Sequence, residues 1–301
     1  GTWSQEPSGS AVAFGYSYYL YQKLQVPVGV IVACWGSAFI EGFMPRDLTE
    51  QLPHFKKMMD DMKAYVQEVE AWVKTERDAI GAMAESPAVL QAWYGGSEAG
   101  HALASVVFGD VSPSGKLPCT FPKSLADSPA HAAGLARQFP GEGGKVWYDE
   151  GLLVGYRWND AKAIEPLFPF GHGLSYTRFQ YAALQPKLTA APDGPSATLE
   201  LQVTNSGERE GAEIVQAYVR PVEPPVMRPE KELKAFAKVL LKPGETKTVT
   251  LVLGPRAFAY YDPEAKAWRV AKGRYELLVG ASSRDIRLTG SVDVAQAGLL
   301  R

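Results

Sequence analysis

From Phe179 onward, apolar residues alternate with polar ones, and no other feature limits the fold as strongly. The runs are ATLELQVTNSG (Ala197–Gly207), AEIVQAYVR (Ala212–Arg220), KELKAFAKVLLKPGETKTVTLVL (Lys231–Leu253), FAYYD (Phe258–Asp262) and GRYELLVGASS (Gly273–Ser283). A period of two puts successive side chains on opposite faces, so each run has one apolar face to bury. Asn-Ser-Gly and Lys-Pro-Gly-Glu separate the runs, and these are residues that favour turns. About seven short strands over about 115 residues predict an antiparallel β-sandwich. Tyr260, Tyr261 and Trp268 fall close together in it, and their alternation fits packing better than an open stacking platform.

The first half follows another pattern. Ser10–Leu24 carries Val12, Tyr16, Tyr19, Leu20 and Leu24 at helical spacing, and VGVIVAC (Val28–Cys34) is the continuous apolar run of a parallel strand buried on both faces. Phe55–Val73 predicts a long amphipathic helix, with Met58, Met59, Met62 and Val66 on one side and Lys56, Asp60 and Glu70 on the other. Pro87–Tyr94 predicts a second buried strand. The turn Gly95–Gly100 then leads into an alanine-rich helix that ends at Gly109. That turn lacks both the Lys-Ser/Thr ending of a phosphate loop and the spacing of a dinucleotide fingerprint. Two strands cannot bury a sheet of this type, so either less obvious segments or a completing chain must supply the rest. Part of the long helix's apolar face is accordingly expected to meet another subunit, as in a homo-oligomer.

Val146–Phe179 joins the two halves and is dense in aromatics, glycine and proline: VWYDEGLLVGYRWNDAKAIEPLFPFGHGLSYTRF. Such composition predicts an ordered connector, not one regular element.

Composition excludes several roles. The chain has 301 residues, a formal net charge of −2, and basic residues scattered without clusters, so it offers no electrostatic footprint for nucleic acid or an anionic membrane. Cys34 and Cys119 lie far apart without metal-ligand spacing, so neither a disulfide nor a metal is predicted, and no cofactor. No apolar run approaches the roughly 20 residues of a membrane helix, and Gly1-Thr2-Trp3 does not open like a signal peptide. The chain reads as soluble, with no membrane association.

Two resemblances emerge from these residues. PAVLQAWYGGSEAGHALASVVFGDVSPSGKLPCTFPKS, then WYDEGLLVGYRWND and IEPLFPFGHGLSYTRF, closely resemble the end of the α/β sandwich domain of glycoside hydrolase family 3 and its connector. The resemblance runs from about residue 87 to 294 and continues into the fibronectin type III-like domain that closes many of these β-glucosidases and β-xylosidases. AVAFGYSYYLYQKLQVPVGVIVACWGSAFIEGF, within about residues 3–46, resembles the sialate O-acetylesterase-like carbohydrate esterases. The fold class that follows is α/β plus all-β: a partial flavodoxin-like α/β sandwich, then a fibronectin type III-like antiparallel β-sandwich. The corresponding divisions are residues 1–82 (esterase-like, with the long helix), 83–145 (end of the sandwich domain), 146–179 (connector) and 180–301 (β-sandwich). By resemblance the substrate class is a plant-type oligosaccharide or glycoside, and the compartment periplasmic or secreted.

The resemblance also frames the candidate site. Family 3 enzymes use an aspartate nucleophile on a (β/α)8 barrel and a glutamate acid/base, and neither context occurs in this sequence. Glu98, at a helix N-terminus after Gly-Gly, and Glu150, among aromatics, are the substitute carboxylates, each read first as structural. Gly36 matches the glycine beside the esterases' oxyanion hole, but the contexts of that family's serine and Asp-His pair are missing. Trp147, Tyr148 and His172 are candidates for contact with sugar. Three functions remain: part of a family 3 glycosidase, a non-catalytic sugar-binding or assembly module, or an acetylesterase with a rebuilt serine site.

Overall fold

The computed structural model describes residues 88–300 apart from 94, 97, 133–136, 140, 144 and 192. The expected helices at Ser10–Leu24 and Phe55–Val73, the strand Val28–Cys34 and the turn at Gly36 lie outside the described residues. The chain divides between Val111 and Ser112 into two units.

In the first unit, helix α1 spans Ala99–Val107 and stops as expected at Gly109, whose φ of +81° is the left-handed geometry that glycine tolerates at a helix end. The strand predicted over Pro87–Tyr94 is not formed among its described residues, and Val89, Leu90 and Trp93 are exposed. A strand needs a hydrogen-bonded neighbour as well as an apolar run, and among the described residues no strand pairing includes 88–93.

Among the described residues the second unit holds ten strands. One sheet has the order β1 (Phe179–Ala191), β2 (Gly194–Asn205), β5 (Thr246–Leu253). The other has the order β4 (Glu232–Leu241), β3 (Gly211–Pro221), β8 (Gly273–Gly280), β9 (Ile286–Val294). A small third sheet joins β6 (Ala259–Asp262), β7 (Ala267–Val270) and β10 (Gly298–Leu299). Every pairing is antiparallel. The inward rows Leu199, Leu201 and Val203 of β2, Val249, Leu251 and Leu253 of β5, and Leu277 and Val279 of β8 form one core with Phe258 and Tyr275. Each such side chain contributes about 1.5–3 kcal/mol through burial.

Strands β1, β7, β9 and β10 lie outside the runs named from the sequence. In β1 the alternation is broken by a register shift between Ala182 and Gln185, where Ala183 has φ +54°. The extra residues of such a bulge put neighbours out of phase, so a reading by period misses the strand. The Lys242–Glu245 turn also joins strands of different sheets: it closes no hairpin, and instead carries the chain from β4 across the sandwich to β5. Asn205, fully buried, holds this corner by donating to the Leu241 carbonyl at 3.0 Å and to the Arg209 carbonyl at 2.7 Å, and it accepts from Thr177 Oγ1 at 2.6 Å.

Strand β3 departs from simple alternation: Val215 to Val219 are all buried. Gln216 and Tyr218 face away from the core and are covered by the connector. Tyr156, on the short helix α2 (Tyr156–Ala161), stacks on Phe170 and packs with Tyr218 and Leu278 in a second cluster. The connector is thus a third layer on the outer face of the four-stranded sheet.

Candidate functional site

The connector's attachment is polar at its edges and aromatic at its centre. Gln216 reaches out of β3 and donates from Nε2 to the carbonyls of Gly171 (3.0 Å) and Ala281 (2.7 Å), while Tyr218 Oη donates to its Oε1 at 2.6 Å. Every polar atom of this buried amide is therefore used, as burial demands. Gly171 has φ +79°, and a Cβ there would overlap the Gln216 amide. Gly173 is required for close approach, because a Cβ would strike the Gly115 carbonyl.

Two ion clusters flank this centre. Asp160, on α2, meets Lys231 Nζ at 2.6 Å and Arg284 at 3.2 Å, and both Asp160 and Lys231 are buried. Arg284 also donates to the Ile164 carbonyl. Lys116 Nζ lies 2.9 Å from Glu213 Oε1 and donates to the Gly173 carbonyl at 3.0 Å. Both clusters join the connector, or the loop before it, to the sandwich, and leave no charge unpaired.

His172 belongs to this attachment. Its ring is half-buried and stacked on Phe168, with centroids 5.5 Å apart and planes 15° apart, and its carbonyl accepts from Leu117 N. Burial, and next the charge of Lys116, push the imidazole below its ordinary value, with Asp285 pulling the other way. A ring committed to Phe168 on one face is a packing group first.

Trp147, Tyr148 and Glu150 sit together in a separate loop pinned to residues 137–138. Arg137 makes two 2.5 Å contacts with the Asp149 carboxylate, and its guanidinium lies 5.6 Å from the centroid of the Trp147 ring. The hydrogen bond holds the Asp149 carboxyl below the usual carboxylate range and raises Arg137 correspondingly. Glu150 accepts a hydrogen bond from the buried Gln138 amide, whose own oxygen is buried without a partner. Tyr148 is exposed to 78%. Glu98 is the N-cap of α1 and makes no side-chain cap. Its carbonyl accepts from Ala102 N, and its side chain lines a shallow groove with His101 and Ser105. Glu98 and Glu150 fall in different units, so they are not brought together as a pair within either one. Gly36 lies outside the described residues. Among the described residues no group of three or more His, Cys, Asp and Glu could hold a metal, and no helix is long and apolar enough to cross a membrane.

Trp268 is no platform: Arg256 lies 3.5 Å from its ring centroid, Tyr261 packs edge-on at 5.6 Å, and the indole lies against the core. Sequence reading missed Gln216, Asp160, Lys231 and Lys116. The only available signals were a glutamine on a strand otherwise apolar at its centre and an aspartate closing YRWND. Neither identifies its partner, which lies 45 to 71 residues away.

Comparison with known proteins accords with this architecture. Residues 30–176 match the Glycosyl hydrolase family 3 C-terminal domain, and residues 213–283 match the Fibronectin type III-like domain. The first match includes residues 30–46, and the findings give no support to the esterase-like reading of residues 3–46. Thermostable β-glucosidase B of Acetivibrio thermocellus is 52% identical over 206 residues, 68% of this chain and 27% of that protein. A β-glucosidase of Rhizobium radiobacter is 50% identical over 206 residues, 68% of this chain and 25% of its own length. Among solved structures, the β-glucosidase of Kluyveromyces marxianus aligns with a TM-score of 0.64 at 40% identity, covering 69% of this chain and 24% of that one. β-Glucosidase 3B of Thermotoga neapolitana, solved with glucose, aligns with a TM-score of 0.60 at 38% identity over 68% of this chain and 28% of that one. The chain spans about a quarter of the length of the curated relatives it matches. With a family 3 C-terminal domain followed by a fibronectin type III-like domain, it is similar to the C-terminal part of family 3 β-glucosidases.

Proposed function

We propose that this chain serves the hydrolysis of β-glucosides as the C-terminal part of a family 3 enzyme. The observation that carries this reading is the 52% identity to a β-glucosidase over 206 residues. In this reading the catalytic carboxylates belong to the part of the relatives that the match leaves uncovered, where a barrel of about 250 residues has room. The described residues supply the closing β-sandwich and the connector fixed to it. Glu150 acts structurally, tied to Gln138, and His172 acts through its stack on Phe168. Glu98 begins a helix, where its charge favours the positive dipole end.

The test is a chimera in which residues 88–300 replace the matching segment of the Acetivibrio thermocellus enzyme. Turnover of an aryl β-glucoside within about ten-fold of the parent, a difference of about 1.4 kcal/mol in barrier, is expected. A folded chimera without turnover overturns the reading. The 301-residue chain alone is expected to turn over neither aryl β-glucosides nor aryl acetates; acetate turnover with a serine labelled by a fluorophosphonate would establish an esterase instead.

A further inference from the structure

Three cations converge on one carboxylate where the connector meets the edge of β4. Glu232 opens β4, and its Oε2 accepts from Arg228 Nη2 at 3.0 Å. Its Oε1 lies 3.3 Å from Lys234 Nζ and 3.5 Å from Nη2 of Arg157, which is carried by α2. Among the described residues no second carboxylate forms an ion pair with any of the three. The neighbouring acids are already taken: Asp160 by Lys231 and Arg284, and both Glu230 and Glu276 by Arg220. The cluster therefore holds two positive charges in excess. Such an excess is costly where side chains are covered. Arg228 is covered, at 3% exposure, and its Nη1 is spent on the Phe258 carbonyl at 3.0 Å. Lys234 keeps 19% exposure and Arg157 33%, so the cluster opens to solvent on their side. Arg157 Nε is buried with no hydrogen-bond partner, so this guanidinium is not satisfied where it lies. Burial holds the Lys234 amine below the ordinary lysine range; Glu232 draws it up, and Arg228 and Arg157 push it down again.

A small oxyanion meets these requirements. It brings negative charge, offers several acceptor oxygens to a guanidinium and an ammonium at once, and needs only a narrow approach. A polyanion such as nucleic acid needs a broad basic surface, and the basic residues of this chain are scattered. We propose that Lys234 and Arg157 bind a small oxyanion of the phosphate or sulfate class beside Glu232, and that the anion ties α2 of the connector to the edge of β4. The site goes beyond β-glucoside hydrolysis and does not depend on it.

Binding of inorganic phosphate to the full 301-residue chain tests this, followed by phosphorus NMR line width against sodium chloride at matched ionic strength. One saturable site is expected, and saturating phosphate is expected to raise the melting temperature by about 3 °C. Lys234→Gln and Arg157→Gln are each expected to weaken binding by about ten-fold or more, whereas Lys187→Gln, on β1, binds as the parent does. Lys234→Gln leaves Glu232 with both arginines, so its melting temperature in chloride should stay within about 2 °C of the parent's. This variant decides the matter if Arg157→Gln fails to fold. Absence of saturable binding overturns the proposal and leaves the excess charge to a carboxylate from elsewhere. Binding that Lys234→Gln retains in full marks an adventitious ion only, and overturns it too.

Discussion

Gly171 and Gln216 depend on one another. The glycine's φ of +79° is costly for any L-residue, and a Cβ there would displace the amide that satisfies the Gly171 and Ala281 carbonyls. Gly171→Ala is expected to destabilise residues 112–301 by about 2–4 kcal/mol, adding left-handed strain to lost hydrogen bonds, as read by urea unfolding. His172 supplies a pH dependence. Its folded pKa lies below the ordinary 6.5, so the unfolded chain takes up the proton more readily. The stability in question is complete above that ordinary value and is lost as pH falls through it toward the lowered folded value. Melting temperature should therefore fall more steeply between about pH 7 and pH 5 in the parent than in His172→Phe, which keeps the stack on Phe168 without a titrating group. Parallel curves would remove His172 from this role.

At the scale of elements, α2 and the strands it covers should behave as one piece. Asp160 is buried against Lys231 at 2.6 Å with Arg284 beside it, while Tyr156 Oη accepts from Leu233 N at 2.9 Å at the edge of β4. Asp160→Asn leaves the Lys231 charge buried without its counter-ion and is expected to cost about 3–5 kcal/mol. Under hydrogen exchange, α2 should lose protection together with β3 and β8, its packing partners in the Tyr156–Tyr218–Leu278 cluster. If α2 exchanges far ahead of β3, the connector is a surface graft and not a layer of the fold.

The whole molecule divides between Val111 and Ser112, and the hydrogen bonds and ion pairs described above for Gly171, Gly173 and Asp160 are made within residues 112–301. Residues 112–301 expressed alone are therefore expected to melt in one cooperative transition, within a few degrees of the corresponding transition of the full chain. Much of this architecture was legible in the residues. Period-two alternation in β2, β4, β5 and β8, glycine at the end of α1, and an aromatic connector between two halves are local patterns, and local backbone preference is written in consecutive residues. The bulged β1 and the absent strand at residues 88–93 were not legible, because a strand exists only where another strand pairs with it. The candidate site was less legible still. Glu150, Trp147 and His172 stood out by type, but what each does is decided by Gln138, Arg137 and Phe168. The stretch Val146–Phe179 could be recognised from sequence as an ordered connector. Only the tertiary structure decided that its second half is a buried layer on β3 and β8 and its first half an exposed apolar surface, because burial is a property of what packs against a segment and is not contained in the segment itself.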